Sequence, residues 1–260
     1  MKYNNENLSD IPIDIYGAVG NIANTDEEHF LRQYIVACEM MSRCLNHVIY
    51  VGDYRKQEFA YVSAVPSMLF GLTPRSIINR GFNFLNDYLN ADDLLFIRNI
   101  VSDWFIFLEN CPKQHINSYV LSYNIDLKSS KYGELLISNS LIPLRFESNG
   151  HPWLVHGTLS MATDHRPHIG RIGLMGQTSY WEYDEQQRIF NLIEVPPLSE
   201  ASKRIIYLSH LGHTVEEIAK RMKRTESTIK WHRSELKRQF HTLNFEQVIA
   251  IAKDLKLLWS

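Results

Sequence analysis

Cysteine is scarce: the 260-residue chain has three, Cys38, Cys44 and Cys111, and no Cys-x-x-Cys pair. An odd count without that spacing fits reduced, buried, structural thiols better than disulfides or a cysteine zinc site. Long apolar runs are missing as well. No stretch reaches the ~18 consecutive apolar residues of a membrane span, and the N-terminus lacks a basic start followed by an apolar segment. The sequence therefore predicts no membrane contact, no signal peptide and a cytoplasmic protein. Catalytic signatures are absent too. There is no phosphate loop and no His-Glu-x-x-His, and Gly170, Gly173 and Gly176 do not fit G-x-G-x-x-G. Asp92 and Asp93 are adjacent, so on a helix they diverge and serve its positive N-terminus better than a two-carboxylate reaction. No enzyme is expected.

An overall excess of charge is also lacking, with 27 Lys and Arg against 29 Asp and Glu for a net −2. The charge is segregated along the chain, however. From Leu198 onward there are 12 basic against 7 acidic residues, which leaves 15 against 22 for everything before. Clustered cations favour a polyanion through counterion release, so this asymmetry predicts an acidic regulatory part followed by a DNA-binding part. Apolar residues make up 45% and aromatics 12%, ample for a core in each. Val195-Pro196-Pro197 marks the join, because two prolines stop a helix and set a stiff extended step.

The most informative stretch is 211–240. Val215, Ile218, Ala219 and Met222 recur at i, i+3, i+4 and i+7, the stripe of a short amphipathic helix. Thr214 and Glu217 form a capping box at its start. After a turn at Lys223 and Arg224, Thr225 is placed to cap a second helix whose Ile229, Leu236 and Phe240 share one arc at about 100° per residue. Lys230, Trp231, Ser234, Lys237 and Arg238 fall on the opposite arc, and a helix exposed in this way fits a DNA major groove. Ala201, Ile205 and Leu208 mark a preceding helix capped by Ser199. Phe245, Val248, Ile249, Ala252 and Leu255 mark a following one.

These residues resemble the LuxR/GerE-type helix-turn-helix domain from Leu198 to about Lys256. The likeness is carried by Leu198-Ser199, Gly212, Glu217-Ile218-Ala219 and Thr228-Ile229-Lys230-x-His232. It implies that Lys230, Trp231 and Ser234 face bases, while Thr228, Arg233 and Lys237 lie nearer phosphates; Thr225 and Arg238 complete the expected DNA-contacting set. Three positions depart from the pattern. Lys223 and Arg224 stand in place of Gly and an apolar residue, which puts a left-handed Lys in the turn at roughly 1 kcal/mol relative to Gly. Arg204 replaces a Glu, and Trp231 a small β-branched residue.

Upstream, residues 1–24 are polar and carry no motif. Thr25 and Glu28 suggest another capping box, and Phe30, Leu31, Tyr34, Ile35, Cys38, Met41 and Leu45 continue a helical stripe to about Asn46, a helix that either covers a sheet or pairs with its copy. The period then shortens to two. Strands are expected at 48–51 and 59–62 around a polar turn, a helical turn at 66–71, and a helix opened by Thr73-Pro74. A longer helix follows Asn90-Ala91-Asp92-Asp93 to about Glu109, with Leu94, Ile97, Val101, Trp104, Phe105 and Leu108 inward. Strands at 118–127, 135–146 and 153–162 come next, the last two parted by Asn149-Gly150, a hairpin turn signal.

This order, with the run Pro66 to Thr73, the Asn90-Ala91-Asp92-Asp93 segment and the closing meander, resembles a PAS domain over 47–164. The resemblance implies a five-stranded antiparallel sheet cupping helices, with an interior that leaves room for an unidentified small-molecule ligand. An aromatic segment at 171–193 exceeds that pattern as a further hairpin. No cysteine sits in the Asn-Cys-Arg-Phe arrangement of flavin-photochemical relatives, and the strand-end aspartates of a receiver domain are missing. His151, His156, His165 and His168 have poor metal spacing, since 151 and 156 point to opposite strand faces. His115 is a conceivable haem ligand.

The expected architecture is thus an α+β PAS-like sensor followed by an all-α, four-helix LuxR-type domain. Its parts are a lead-in and helix (1–46), the sensor with its extra hairpin (47–194), a linker (195–197) and the helix-turn-helix domain (198–260). The expected function is a sequence-specific transcriptional regulator on a double-stranded DNA operator, a homodimer, with RNA polymerase as a further candidate partner and no resident cofactor or metal. The alternatives are a σ-factor-like promoter-binding protein and a haem- or flavin-bearing PAS redox sensor.

Overall fold

Alternation of apolar residues between turns builds a single antiparallel sheet. The computed structural model describes residues 24–45, 47–64, 72–129, 133–162, 164–174, 177–255 and 257. Its strands are β1 (Val48–Asp53), β2 (Glu58–Val62), β3 (Tyr119–Ser129), β4 (Gly133–Phe146), β5 (Pro152–Met161), β6 (Gly170–Leu174), β7 (Tyr180–Asp184) and β8 (Ile189–Ile193). They lie in the order β2-β1-β5-β4-β3-β6-β7-β8.

The sheet therefore has eight strands where five were expected. The added three form because β3 would otherwise end as an open edge: β6 pairs with it from Tyr119↔Leu174 to Tyr123↔Gly170, and β7 and β8 follow. Aromatics fix the addition. Phe107 meets Trp181 and Phe190 with ring centroids at 5.2 and 5.8 Å, and Tyr119 meets Trp181 at 5.8 Å.

Helices cover both faces. α1 (Asn24–Cys44) lays Phe30, Leu31, Tyr34, Ile35 and Cys38 on Ile49, Val51, Leu144 and Leu154. Of the two roles open to it, α1 takes that of covering the sheet. Thr25 lies within the helix, not ahead of it as a capping box requires. Only Cys38 of the three thiols is buried; Cys111 is half-buried and Cys44 exposed, because Cys44 ends the helix on its solvent side. Burial pushes the Cys38 and Cys111 thiols up to about 11, so both stay unionised and unreactive at neutral pH. The expected helical turn at 66–71 and the lead-in at 1–23 lie outside the described residues.

On the other face, α2 (Pro74–Arg80) starts at Thr73, whose hydroxyl accepts from the Ser76 amide, with Pro74 in the first helical turn. α3 (Ala91–Glu109) starts at Asn90, whose side chain accepts from the Asp93 amide at 2.8 Å. Phe96, Ile100, Val101, Trp104 and Leu108 are its buried apolar residues, and Leu94, Ile97 and Phe105, only partly buried, line the interior on the same side. The expected stripe thus faces inward, joined by Phe96 and Ile100, which the sheet buries as well. Gly170 opens the space, for a Cβ there would lie 2.1 Å from Ile100 Cδ1.

Four helices close the chain: α4 (Glu200–His210), α5 (Val215–Met222), α6 (Glu226–Gln239) and α7 (Phe245–Asp254). Ile205, Ile218, Ile229, Leu236, Phe240, Val248 and Ile251 form their common core, which also takes in Tyr180 of β7 and Val195. Val195 is tied down by two bonds: Thr178 Oγ1 donates to its carbonyl at 2.6 Å, and its amide donates to Ser179 Oγ at 3.2 Å.

Arg171 on β6 fastens this bundle to the sheet. Its side chain is 2% exposed and reaches Asp164 (3.3 Å), Glu182 on β7 (3.1 Å) and Asp254 at the end of α7 (3.3 Å). Burial alone would lower the guanidinium, but Asp254, Glu182, Tyr180 and Asp164 hold it above its ordinary range. Burial pushes the Asp254 carboxyl up to about 6 despite its single cationic neighbour on β6, and the 22% of its side chain left in solvent keeps its ionised form accessible at neutral pH. Asp164 is also raised by burial, yet Arg166 and Arg171 together hold it below the usual carboxylate range. Arg171→Met should destabilise the protein by about 3–5 kcal/mol, because it leaves Asp254 without its cation, reduces Asp164 to its pair with Arg166 and frees α7. Urea unfolding monitored by far-ultraviolet circular dichroism measures it; a loss within about 0.5 kcal/mol, the size of a neutral surface change, would show the cluster to be solvated.

Candidate nucleic-acid interface and interior cavity

The helix pair α5–α6 and its tight turn form as their local signals dictate. Thr214 accepts from the Glu217 amide at 3.2 Å, and Glu217 accepts from the Thr214 amide at 2.8 Å, completing the capping box before α5. α5 ends at Lys223, which takes the left-handed conformation at φ 52° and ψ 48°. The Arg224 amide then donates to Ala219 O at 3.0 Å and the Lys223 amide to Lys220 O at 3.3 Å, the paired closure that a glycine usually makes. Thr225 caps α6 through the Thr228 amide and also bonds the Ser227 and Thr228 hydroxyls, both at 2.8 Å.

Along α6, Ile229 and Leu236 are buried and Lys230, Trp231, Ser234 and Arg238 exposed. Trp231 is 62% exposed, its ring meeting the His232 ring edge-on with centroids 4.9 Å apart. Lys230 pairs with Glu226 at 3.1 Å, and Arg238 Nε with Glu235 at 3.0 Å. Thr228 and Lys237 are half-buried. Arg233 turns toward the core, its guanidinium 4.2 Å from the Phe245 ring centroid, and burial lowers it from its ordinary range. Of the eight residues expected at DNA, the fold thus brings Lys230, Trp231 and Ser234 together on one open face, with Thr225 at its entrance and Arg238 toward its exit. Arg233 packs beneath.

Between α3 and the concave side of the sheet lies a cavity of about 620 Å³, within the usual size of small-molecule sites. Strand alternation puts Tyr50, Tyr123, Ile125 and Leu127 on its floor, while Leu94, Ile97 and Val101 wall it from α3. The Tyr50 hydroxyl donates to Asn139 Oδ1 at 3.0 Å, and Asn139 Nδ2 donates to the Tyr123 hydroxyl at 2.7 Å. Gly157 makes room for this arrangement, since a Cβ there would lie 2.0 Å from Tyr50 Cζ. Burial pushes Tyr123 up to about 12 and raises Tyr50 and Tyr54 too, so all three phenols stay neutral. Sequence reading passed over these residues. The available signal was Asn139, a polar residue in an otherwise apolar alternation.

The histidines disperse. His168 Nε2 meets Asp93 at 2.8 Å and its ring stacks on Phe96, His156 bonds the Tyr34 hydroxyl at 3.1 Å, and His151 meets Glu109 at 3.0 Å. Among the described residues, no group of three or more His, Cys, Asp or Glu is placed to hold a metal ion, and no helix is long and apolar enough to cross a membrane. The His115 side chain, the conceivable haem ligand, lies outside the described residues.

No family model matches the chain, and no curated protein matches it. Among solved structures it is similar to the phage VqmA–DPO complex at 13% identity, over 90% of this chain and 91% of that one, with a TM-score of 0.32. It is similar to the Vibrio cholerae VqmA dimer, described with LuxR-type receptors, at 13% identity over 92% and 94% with a TM-score of 0.28. The PAS domain of a Colwellia psychrerythraea protein is 16% identical over 51% of this chain and 96% of that one, with a TM-score of 0.35. These overlaps are slight.

The left-handed Lys223 makes the turn between α5 and α6 a place where the sequence can be improved. Lys223→Gly relieves the strained backbone, offset by the glycine's greater freedom when unfolded, and should raise stability by roughly 0.5–1 kcal/mol. Thermal unfolding tests it, and a lower melting temperature would mean that the Lys223 side chain contributes more than its backbone costs.

Proposed function

We propose that the chain is a sequence-specific DNA-binding transcriptional regulator, in which residues 198–260 act as a LuxR-type helix-turn-helix and residues 47–194 as a PAS-like sensor of a small molecule. The observation that carries this reading is the open face of α6, where Lys230, Trp231 and Ser234 stand out while Ile229 and Leu236 anchor the helix. A helix held by one side and bare on the other is what a major groove admits. Lys230 and Ser234 then reach base edges and Trp231 meets thymine methyls or the sugar edge. Thr225, Thr228, Lys237 and Arg238 serve phosphates, with Arg233 acting mainly through its packing on Phe245. The protein works in the cytoplasm as a homodimer, since one short helix reads few base pairs and two half-sites are commonly combined. RNA polymerase is a natural further partner. No catalysis is assigned.

Binding of the full chain to its operator should weaken steeply with rising salt, because it releases counterions. Lys230→Ala should cost about 1–3 kcal/mol of binding if it reads a base edge. Folding stability should hardly move, since the exposed Glu226 pair it loses is worth at most ~0.5 kcal/mol. Fluorescence anisotropy across a salt series measures the first and a melting curve the second; a flat salt response, or binding and fold lost together, rejects the assignment.

Trp231 supplies an independent check. Trp231→Val should shift sequence preference more than stability, as read by selection from a randomised duplex pool. Unchanged preference would move recognition off this face of α6.

A further inference from the structure

We propose that the cavity beneath α3 binds an aromatic monocarboxylate, with its ring body directed at the sheet floor and its carboxylate held at the mouth by Arg98. The inference deepens the sensor reading and rests on it. Three observations point to this chemistry.

The floor needs no polar visitor. Tyr50, Asn139 and Tyr123 bond one another, and none of them has a buried polar atom left without a partner. A polar group pushed to that end would break bonds already made, whereas an apolar body disturbs nothing.

The walls suit a ring. Tyr54 stands edge-on to Phe82 and to Phe105, each with centroids 5.1 Å apart, and Phe59 tilts against Phe82 at 5.0 Å. All four line the cavity, and rings in such offset arrangements favour another ring among them.

The charge is of one sign. Among the described residues, no Asp or Glu lines the cavity, and Arg98 is its one charged lining residue. The neighbours three and four positions away, Leu94, Leu95, Val101 and Ser102, are not acidic, and among the described residues Arg98 has no ion-pair partner. By contrast Arg80 and Arg188 are paired, with Asp87 at 2.6 Å and Asp103 at 2.8 Å. Ser102 follows Arg98 by one turn on the same helix face and also lines the cavity, so the two present a guanidinium fork and a hydroxyl together. Both residues are exposed. A carboxylate between them gains charge-assisted hydrogen bonds while keeping part of its hydration, which avoids the cost of full burial. A cationic ligand would find no counter-charge.

Isothermal titration of the full-length protein with phenylacetate and indole-3-acetate, each against its own amide, tests the proposal. At least one acid should bind with one molecule per chain and about tenfold or more tightly than its amide, the ratio expected for a hydrogen bond to a charged group. Arg98→Met should remove that preference by weakening the acid alone, and the exposed position leaves the fold intact, as a melting curve confirms. Ile97→Trp, which fills the cavity from its half-buried wall, should abolish both. Failure of both acids to bind below millimolar concentration, an amide equal to its acid, or a preference that survives Arg98→Met would each overturn the proposal. Salt-dependent DNA binding by the ligand-free preparation separates failure of this ligand class from failure of the regulator reading.

Discussion

One buried cation holds the two halves of this structure together. Taking a guanidinium out of water is costly, and only several well-placed carboxylates offset it. Arg171 has Asp164, Glu182 and Asp254, each from a different segment and each served by a different nitrogen of the planar fork, a spread that the single nitrogen of an ammonium lacks. The position of α7 follows from it. Beside the ion cluster, Gly173 leaves a notch on β6 that Leu255 fills, its Cδ2 only 2.8 Å from where a Cβ would stand. The strands added beyond the expected sheet are thus the seat of the helical bundle. Without β6 there is no Arg171, and without β7 the bundle core loses Tyr180.

The segment that supplies Asp164 has a second task. Asn124 Nδ2 donates to the carbonyls of Asp164 and Arg166 at 3.3 and 3.2 Å, fixing the loop over β3. Four residues after Asp164, His168 takes a left-handed backbone at φ 55°, stacks on Phe96 with centroids 4.5 Å apart and meets Asp93 in the first turn of α3. A stretch of a few residues therefore braces both the helix that walls the cavity and the cation that seats α7. Contiguity of this kind becomes energetic coupling only where a member of the chain has two arrangements that both sites bias.

Much of this was legible in sequence, for reasons that differ by element. The helix pair α5–α6 could be read because its signals are local: Thr214 and Glu217, Thr225, and the left-handed Lys223 all do within one or two turns what their spacing implies. The strands from β1 to β5 were legible through alternation and turn residues. The stripe of α3 from Leu94 to Leu108 was legible too, but the burial of Phe96 and Ile100 beside it was not, because the helix is apolar on more than one side and only the sheet chooses how much of it to cover. Nor was the pairing of β6 with β3, which depends on an edge left open far away in the chain. The Tyr50–Asn139–Tyr123 group joins three strands, and no local pattern links residues so distant. Arg233 was read from its charge, yet its stem and guanidinium are used for packing on Phe245.

The exposed face of α6 shows how folding can leave work undone. An indole with 62% of its surface in water ordinarily collapses onto the hydrocarbon stems beside it. Here those stems are engaged elsewhere. Lys230 leans back to Glu226, and Glu235 is held by Arg238 and Gln239, so Trp231 has only the edge of His232 to lean on. Each of these exposed pairs is weak, because solvent screens it. They need only outweigh the small gain from partial cover, and together they keep the ring upright. Apolar area left in water by the folded state, of order 25 cal/mol per Å² when later covered, becomes available to association instead. Two ion pairs of little worth to the fold thus leave open an apolar surface from which the fold gains little.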